Sequence, residues 1–244
     1  MVLQMLDAME GNRGHTLKLT ARVGQCVPVG SRESPQDAFY IQHFFTTGIG
    51  ITQGDVILSR LTGLPAGTDV TEFTEEREVL WGQPQVTTVV SCNTDTCKLD
   101  VDHMCWESLK HVNLIHSGGT PSDIHGDIRI DLMKGTSVPE KDLPISIHPD
   151  TCSTMMKRIF TLREPSIPGY QPIQYIFSKR WQAPDFITLM NKRKNSPPVA
   201  HVTLAARDVA SMSPVEFGMT ANSLVLKAAH LLHPEMTQRY TMFE

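Results

Sequence analysis

Two short stretches, more than a hundred residues apart, constrain the fold most. Thr16 to Gly24 reads T-L-K-L-T-A-R-V-G, and Gly126 to Met133 reads G-D-I-R-I-D-L-M. In the first, Leu17, Leu19, Ala21 and Val23 alternate with Lys18, Thr20 and Arg22. In the second, Ile128, Ile130 and Leu132 alternate with Arg129 and Asp131. A period of two places apolar side chains on one face and charges on the other, which is the pattern of a half-buried strand.

Other segments fill in the order. Residues 1–12 read as a flexible tail. Ser34-Pro35 is an N-cap followed by a first-turn proline. With Ala38, Ile41, Phe44 and Phe45 spaced by three and four, it predicts a helix closed by Gly48 and Gly50. Val56, Ile57, Leu58 and Leu61 predict a short second helix ending at Gly63-Leu64-Pro65. Thr68 to Glu78 is acidic and reads as a loop, and Cys92 to Cys105 as irregular. Val112–Ile115 is short and apolar, and further strands are expected at Val79–Trp81, Val86–Val90, Ile145–Ile147, Ile159–Leu162, Ile173–Phe177 and Val199–Leu204. Asn195 to Pro198 reads as a linker, and Thr220 to Leu232 as a helix with Pro234 behind it. Strands and helices do not alternate regularly, so the expected class is α+β: a mixed, mainly antiparallel sheet with helices packed against it. The expected organisation is a tail at 1–12, a core domain at 13–195 and a strand-and-helix extension at 196–244.

Composition excludes some classes. The chain has 244 residues, 40% hydrophobic and 20% charged, ordinary for a globular protein and too apolar for a disordered one. The N-terminus lacks the basic-then-apolar order of a secretory signal, and five cysteines suggest a reducing compartment. The net charge of -4 hides an asymmetry. Residues 1–150 hold 11 Lys/Arg against 20 Asp/Glu, and residues 151–244 hold 11 against 6. The basic side chains concentrate at Lys157, Arg158, Arg163, Lys179, Arg180, Lys192, Arg193 and Lys194. These are the candidate contacts to RNA or lipid phosphate. Lys192-Arg193-Lys194, an exposed basic cluster before Asn-Ser-Pro-Pro, is also a nuclear import candidate.

Two constellations suggest chemistry. Cys92, Cys97, His103 and Cys105 supply zinc-type donors, but their spacing matches no common finger or knuckle. His111-Val-Asn-Leu and His201-Val-Thr-Leu resemble the paired strands of two-histidine phosphoesterases, where each histidine serves as acid or base. The second fits that pattern; the first has an amide, Asn113, where the hydroxyl belongs. No phosphate loop, dinucleotide fingerprint, zinc-protease or nucleophile-elbow motif occurs. No catalytic residue, resident metal or cofactor is therefore expected.

The strand Leu17–Val23, the Val27-Pro28 loop, the expected helices at Ser34–Phe45 and Val56–Gly63, Gly82-Gln83-Pro84 and the strand Gly126–Leu132 follow one another at intervals that resemble the matrix proteins of rhabdoviruses. The resemblance covers residues 15–135. It implies a non-enzymatic viral structural protein that self-associates, condenses the nucleoprotein-RNA complex and links it to anionic membrane carrying the glycoprotein. It implies a place in the virion, in host cytoplasm and at the inner face of membranes, with the nucleus as a further compartment. Animal-virus members carry a lysine-rich tail with a P-P-x-Y motif; this chain has neither, which points to a plant-infecting relative. Lys110-His-Val-Asn-Leu and the strand after Gly126 also resemble plant-virus movement proteins, which bind single-stranded RNA. The L-x-D-x-R continuation of that family is missing here. A two-histidine phosphodiesterase using His111 and His201 is the enzymatic alternative.

Overall fold

A computed structural model describes residues 2–29, 42–63, 69–81, 88–93, 99–102, 104–114, 126–137, 152–163, 172–184 and 186–233. The helices are α1 (Val2–Glu10), α2 (Ile51–Thr62), α3 (Phe186–Asn195) and α4 (Pro214–Leu232). The strands are β1 (Thr16–Val29), β2 (Gln42–Thr46), β3 (Asp69–Trp81), β4 (Thr88–Asn93), β5 (Leu99–Asp102), β6 (Met104–Leu114), β7 (Asp127–Ser137), β8 (Cys152–Arg163), β9 (Gln174–Ala183) and β10 (Val199–Arg207). They form one sheet in the order β5-β4-β3-β8-β9-β10-β1-β7-β6, with β2 on β1. Every strand pairing is antiparallel. The class is α+β, as the segment order predicts.

Alternation in β1 and β7 has the expected consequence. Leu19 pairs with Leu132, Ala21 with Ile130 and Val23 with Ile128, and all six are buried on the face that carries the helices. On that face Phe177, Val202 and Leu204 join them from β9 and β10, with Ile57 and Leu61 of α2 and Phe217, Leu224 and Ala228 of α4. α4 starts at a capping box, in which Ser213 Oγ accepts from Glu216 N and Glu216 Oε2 accepts from Ser213 N. At its other end Arg60 Nη1 donates to the carbonyls of Leu231 and Leu232, tying α2 to the last turn of α4.

The helix-free face is also shielded. Asp131, Ser178 and Thr20 lie on it and are 0%, 1% and 4% exposed. Near the two ends of the strand order, β4 and β6 approach to within 8 Å. The sheet therefore curls back on itself as a barrel, helices outside and a polar interior within.

Several segments differ from expectation. Residues 2–10 form α1, because Met5 and Met9 are buried in the core; a nine-residue window with three polar positions, at Gln4, Asp7 and Glu10, hides that pair. Residues 30–41 lie outside the described residues, and the end of the helix expected there is strand β2 instead. β2 pairs with the far end of β1, and Phe45 is buried against Gly24, where an added Cβ would stand 2.8 Å from the ring and collide with Thr46 O. The acidic stretch from Thr68 is strand β3 from Asp69 onward, paired with β4 on one side and β8 on the other. Cys92 to Cys105 is largely strand, through β4, β5 and β6. α2, β7, β9, β10 and α4 form where expected. Ile145–Ile147 lies outside the described residues. β10 lies between β9 and β1, so residues 199–207 are central to the sheet.

Candidate phosphate-binding interior

Cross-strand partners share a face, so register lays out the inner wall. One row holds His111, Asp131 and Thr20. The next holds Asn113, Arg129, Arg22 and Thr203. Beyond lie His201 with Ser178, and then Arg180 opposite Lys157. Lys18, Met133 and Arg207 form the row on the other side.

Arg22 and Arg129 stand directly opposite each other, an arrangement that like charges disfavour. Asp131 resolves it. Its Oδ2 accepts from Arg22 Nε at 3.1 Å and Nη2 at 2.5 Å, and its Oδ1 accepts from Arg129 Nε at 3.0 Å and Ser108 Oγ at 3.0 Å. The carboxylate is fully buried, while the two arginine side chains keep 29% and 21% of their surface. Two partly open guanidiniums are thus held in place by one closed carboxylate. Their uncommitted N–H groups form a fork suited to phosphate oxygens. Beside them, Asn113 Oδ1 is buried without a hydrogen-bond partner, an open polar atom on the same wall.

Further along, Arg180 Nε donates to Ser178 Oγ at 2.8 Å. Burial, assisted by the Arg180 charge, lowers the pKa of His201 to about 4, so its imidazole is neutral at pH 7. His111, exposed near the sheet edge, is lowered by desolvation first and then by Arg129. At the opposite end, Lys18 Nζ sits 3.6 Å from the Trp106 ring centroid.

Across the barrel the register changes sign. Glu76 pairs with Lys157, and Glu78 lies in line with Ser91 and Asp100. These positions belong to the inner face, because Lys157 pairs with Arg180. Among the described residues, no three histidine, cysteine or carboxylate side chains stand together as a metal site.

The residues singled out from sequence are divided by this register. Lys157 and Arg163 hold inner-face positions with Arg180, whereas Arg158 pairs with Lys179 on the helix side. Lys179 Nζ is there bound to Asp55 of α2 at 2.8 Å. Lys192, Arg193 and Lys194 form the last turn of α3, a helix that the sequence pattern did not indicate. His111 and His201 both lie on inner-face positions, but β7 and β1 separate their strands. Of the cysteine-histidine cluster, Cys92 lies in β4 and Cys105 in β6; Cys97 and His103 fall outside the described residues. Sequence reasoning missed Arg22, Arg129 and Asp131. Their signal was present as the polar side of the two alternating strands, but counting charge by segment passed over them.

No family model matches this chain, and no curated protein does. Solved structures do. The chain is similar to the Schizosaccharomyces pombe Pct1 RNA triphosphatase in complex with the Spt5 CTD, with a TM-score of 0.63, 11% identity and coverage of 95% of this chain and 91% of that one. It is similar to the triphosphatase of the Mimivirus capping enzyme, with a TM-score of 0.53, 8% identity and coverage of 95% and 96%. These identities establish a shared fold. They overturn the expectation of a non-enzymatic matrix protein with matrix-type virion roles, since the solved structures it is similar to here are RNA triphosphatases. Of the readings drawn from sequence, the enzymatic one, with its phosphoester chemistry, agrees better with them.

Proposed function

We propose that this protein hydrolyses the terminal phosphate from the 5′-triphosphate end of RNA. One observation carries the reading: paired guanidiniums, Arg22 and Arg129, fixed by the buried Asp131 on the inner wall of a barrel whose fold is that of RNA triphosphatases. Phosphoryl transfer asks a protein chiefly for positioning and charge stabilisation. Arg22 and Arg129 bind the phosphate oxygens and offset the charge that spreads over them as the terminal bond loosens. Arg180 extends the cationic row toward the next phosphates. A water oxygen forms a bond to the terminal phosphorus, and the bond from that phosphorus to the bridging oxygen breaks. The electron pair stays with the β-phosphate, and the water proton passes to solvent. The products are orthophosphate and RNA with a 5′-diphosphate.

The test is orthophosphate release from a 5′-triphosphorylated RNA oligonucleotide, with magnesium and manganese titrated. Release that falls at least a hundredfold in Arg129→Ala and in Arg22→Ala, with both variants still folded by circular dichroism at the assay temperature, is the expected result; losses of ~10²–10³ are typical when one charge-stabilising donor is removed. No release from the wild-type chain under any of these conditions overturns the proposal.

A further inference from the structure

We infer that the last turn of α3 is a docking surface for the RNA chain behind its 5′ end, an assignment that rests on the triphosphatase reading. α3 carries Lys192, Arg193 and Lys194 in succession and no acidic residue. Successive helical residues are ~100° apart, so Lys192 and Lys194 flank Arg193 on either side. Arg193 faces the sheet, its guanidinium 5.8 Å from the Trp181 ring centroid. Lys192 and Lys194 are exposed.

The turn is fixed against one end of β9. Lys192 Nζ donates to Gln182 O at 3.0 Å, and Trp181 Nε1 donates to Ser196 O at 3.1 Å. Leu189, fully buried with Trp181 and Ala183, anchors the helix. Gln182 lies two residues beyond Arg180 on the inner-face side of β9. The α3 cations therefore continue the row Arg22 and Arg129, then Arg180, out of the barrel. On β10 the level of Arg22 is Thr203 and that of Arg180 is Val199. The four steps between them span roughly 13 Å at ~3.3 Å each. A phosphate chain entering the barrel has its nucleotides leave beside α3. One cation would complement the helix dipole. Two exposed lysines flanking a stacked arginine, collinear with the row of arginines on the inner wall, suit an extended polyanion better than a flat anionic membrane.

The test uses the full chain and fluorescence anisotropy with 3′-labelled ten-nucleotide RNAs, one 5′-triphosphorylated and one 5′-hydroxyl. Neutralising two phosphate-contacting lysines in Lys192→Gln/Lys194→Gln should lower the log-log salt slope by about 1.4 for both RNAs and weaken binding on the order of tenfold near 0.1 M salt. Lys194→Gln alone, which spares the Lys192 hydrogen bond to Gln182, should lower it by about 0.7. Lys227→Gln on α4 is the surface-charge control and should leave the slope in place. The 5′-hydroxyl RNA reports the α3 surface alone, and phosphate release from the triphosphorylated RNA reports the barrel, so the two readings fail separately. An unchanged slope in the double variant overturns the inference. So does salt-sensitive binding to phosphatidylserine vesicles, lost in the double variant, when neither RNA binds.

Discussion

Replacing Asp131 with asparagine tests the core of the site. The substitution keeps shape but removes the carboxylate that pairs with both Arg22 and Arg129 where they face each other across β1 and β7. Breaking a fully buried ion pair costs about 3–5 kcal/mol. Both arginines here retain some solvent, which screens them, and the asparagine oxygen still accepts one hydrogen bond. A loss of about 2–3 kcal/mol is therefore expected. For a chain of this size that corresponds to a melting temperature lowered by roughly 4–12 °C. The two unbalanced guanidiniums should then bind polyanions more tightly. Adding millimolar inorganic tripolyphosphate should raise the melting temperature of Asp131→Asn by more than it raises that of wild type, because stabilisation follows the ratio of ligand concentration to Kd. The assay is thermal unfolding by circular dichroism, with and without tripolyphosphate. A variant that melts within 1 °C of wild type would refute the claim that Asp131 holds the pair. Equal tripolyphosphate shifts in the two proteins would refute the placement of phosphate on the arginines.

His201 has a folded pKa of about 4, below its unfolded value, so the unfolded chain binds the extra proton. Its contribution is complete above pH 6.5 and is lost as pH falls toward 4, amounting to at most about 3 kcal/mol; urea unfolding at pH 7.5, 5.5 and 4.5 should show this fall flattened in His201→Gln. Gly24→Ala pushes a methyl into the Phe45 ring and Thr46 O, so β2 should detach at a cost of about 1–3 kcal/mol, seen as faster amide exchange in Gln42–Thr46. Ser213→Ala removes the cap of α4 and should cost about 1 kcal/mol, a fall of roughly 2–4 °C in melting temperature.

The fold was legible in the sequence wherever the pattern was local. Alternation in Leu17–Val23 and Ile128–Leu132 is written within seven residues and survives any partner, because every apolar side chain must reach one face. The same holds for α4, whose cap, proline and apolar spacing lie in one window. β3 reads as a loop in sequence because a strand carrying Glu76 and Glu78 declares itself only beside a strand carrying Lys157. α1 looked like a tail because Met5 and Met9 have nothing to bury against until β6, β7 and α4 are in place.

The site was divided in the same way. The cations were visible one by one, but their faces were not. Lys179 and Arg180 are neighbours in sequence, yet one pairs with Asp55 outside the barrel and the other lies on its inner wall. What sequence alone determined is the side of its strand on which each residue falls. Tertiary structure decided what each side faces: curling the sheet turned the polar side of β1 and β7 from a solvent face into an interior. There Asp131 is closed off from water, and two arginines far apart in the chain become one fork. Local periodicity fixes a side chain's direction, whereas desolvation and charge pairing depend on strands that meet only after the chain has closed.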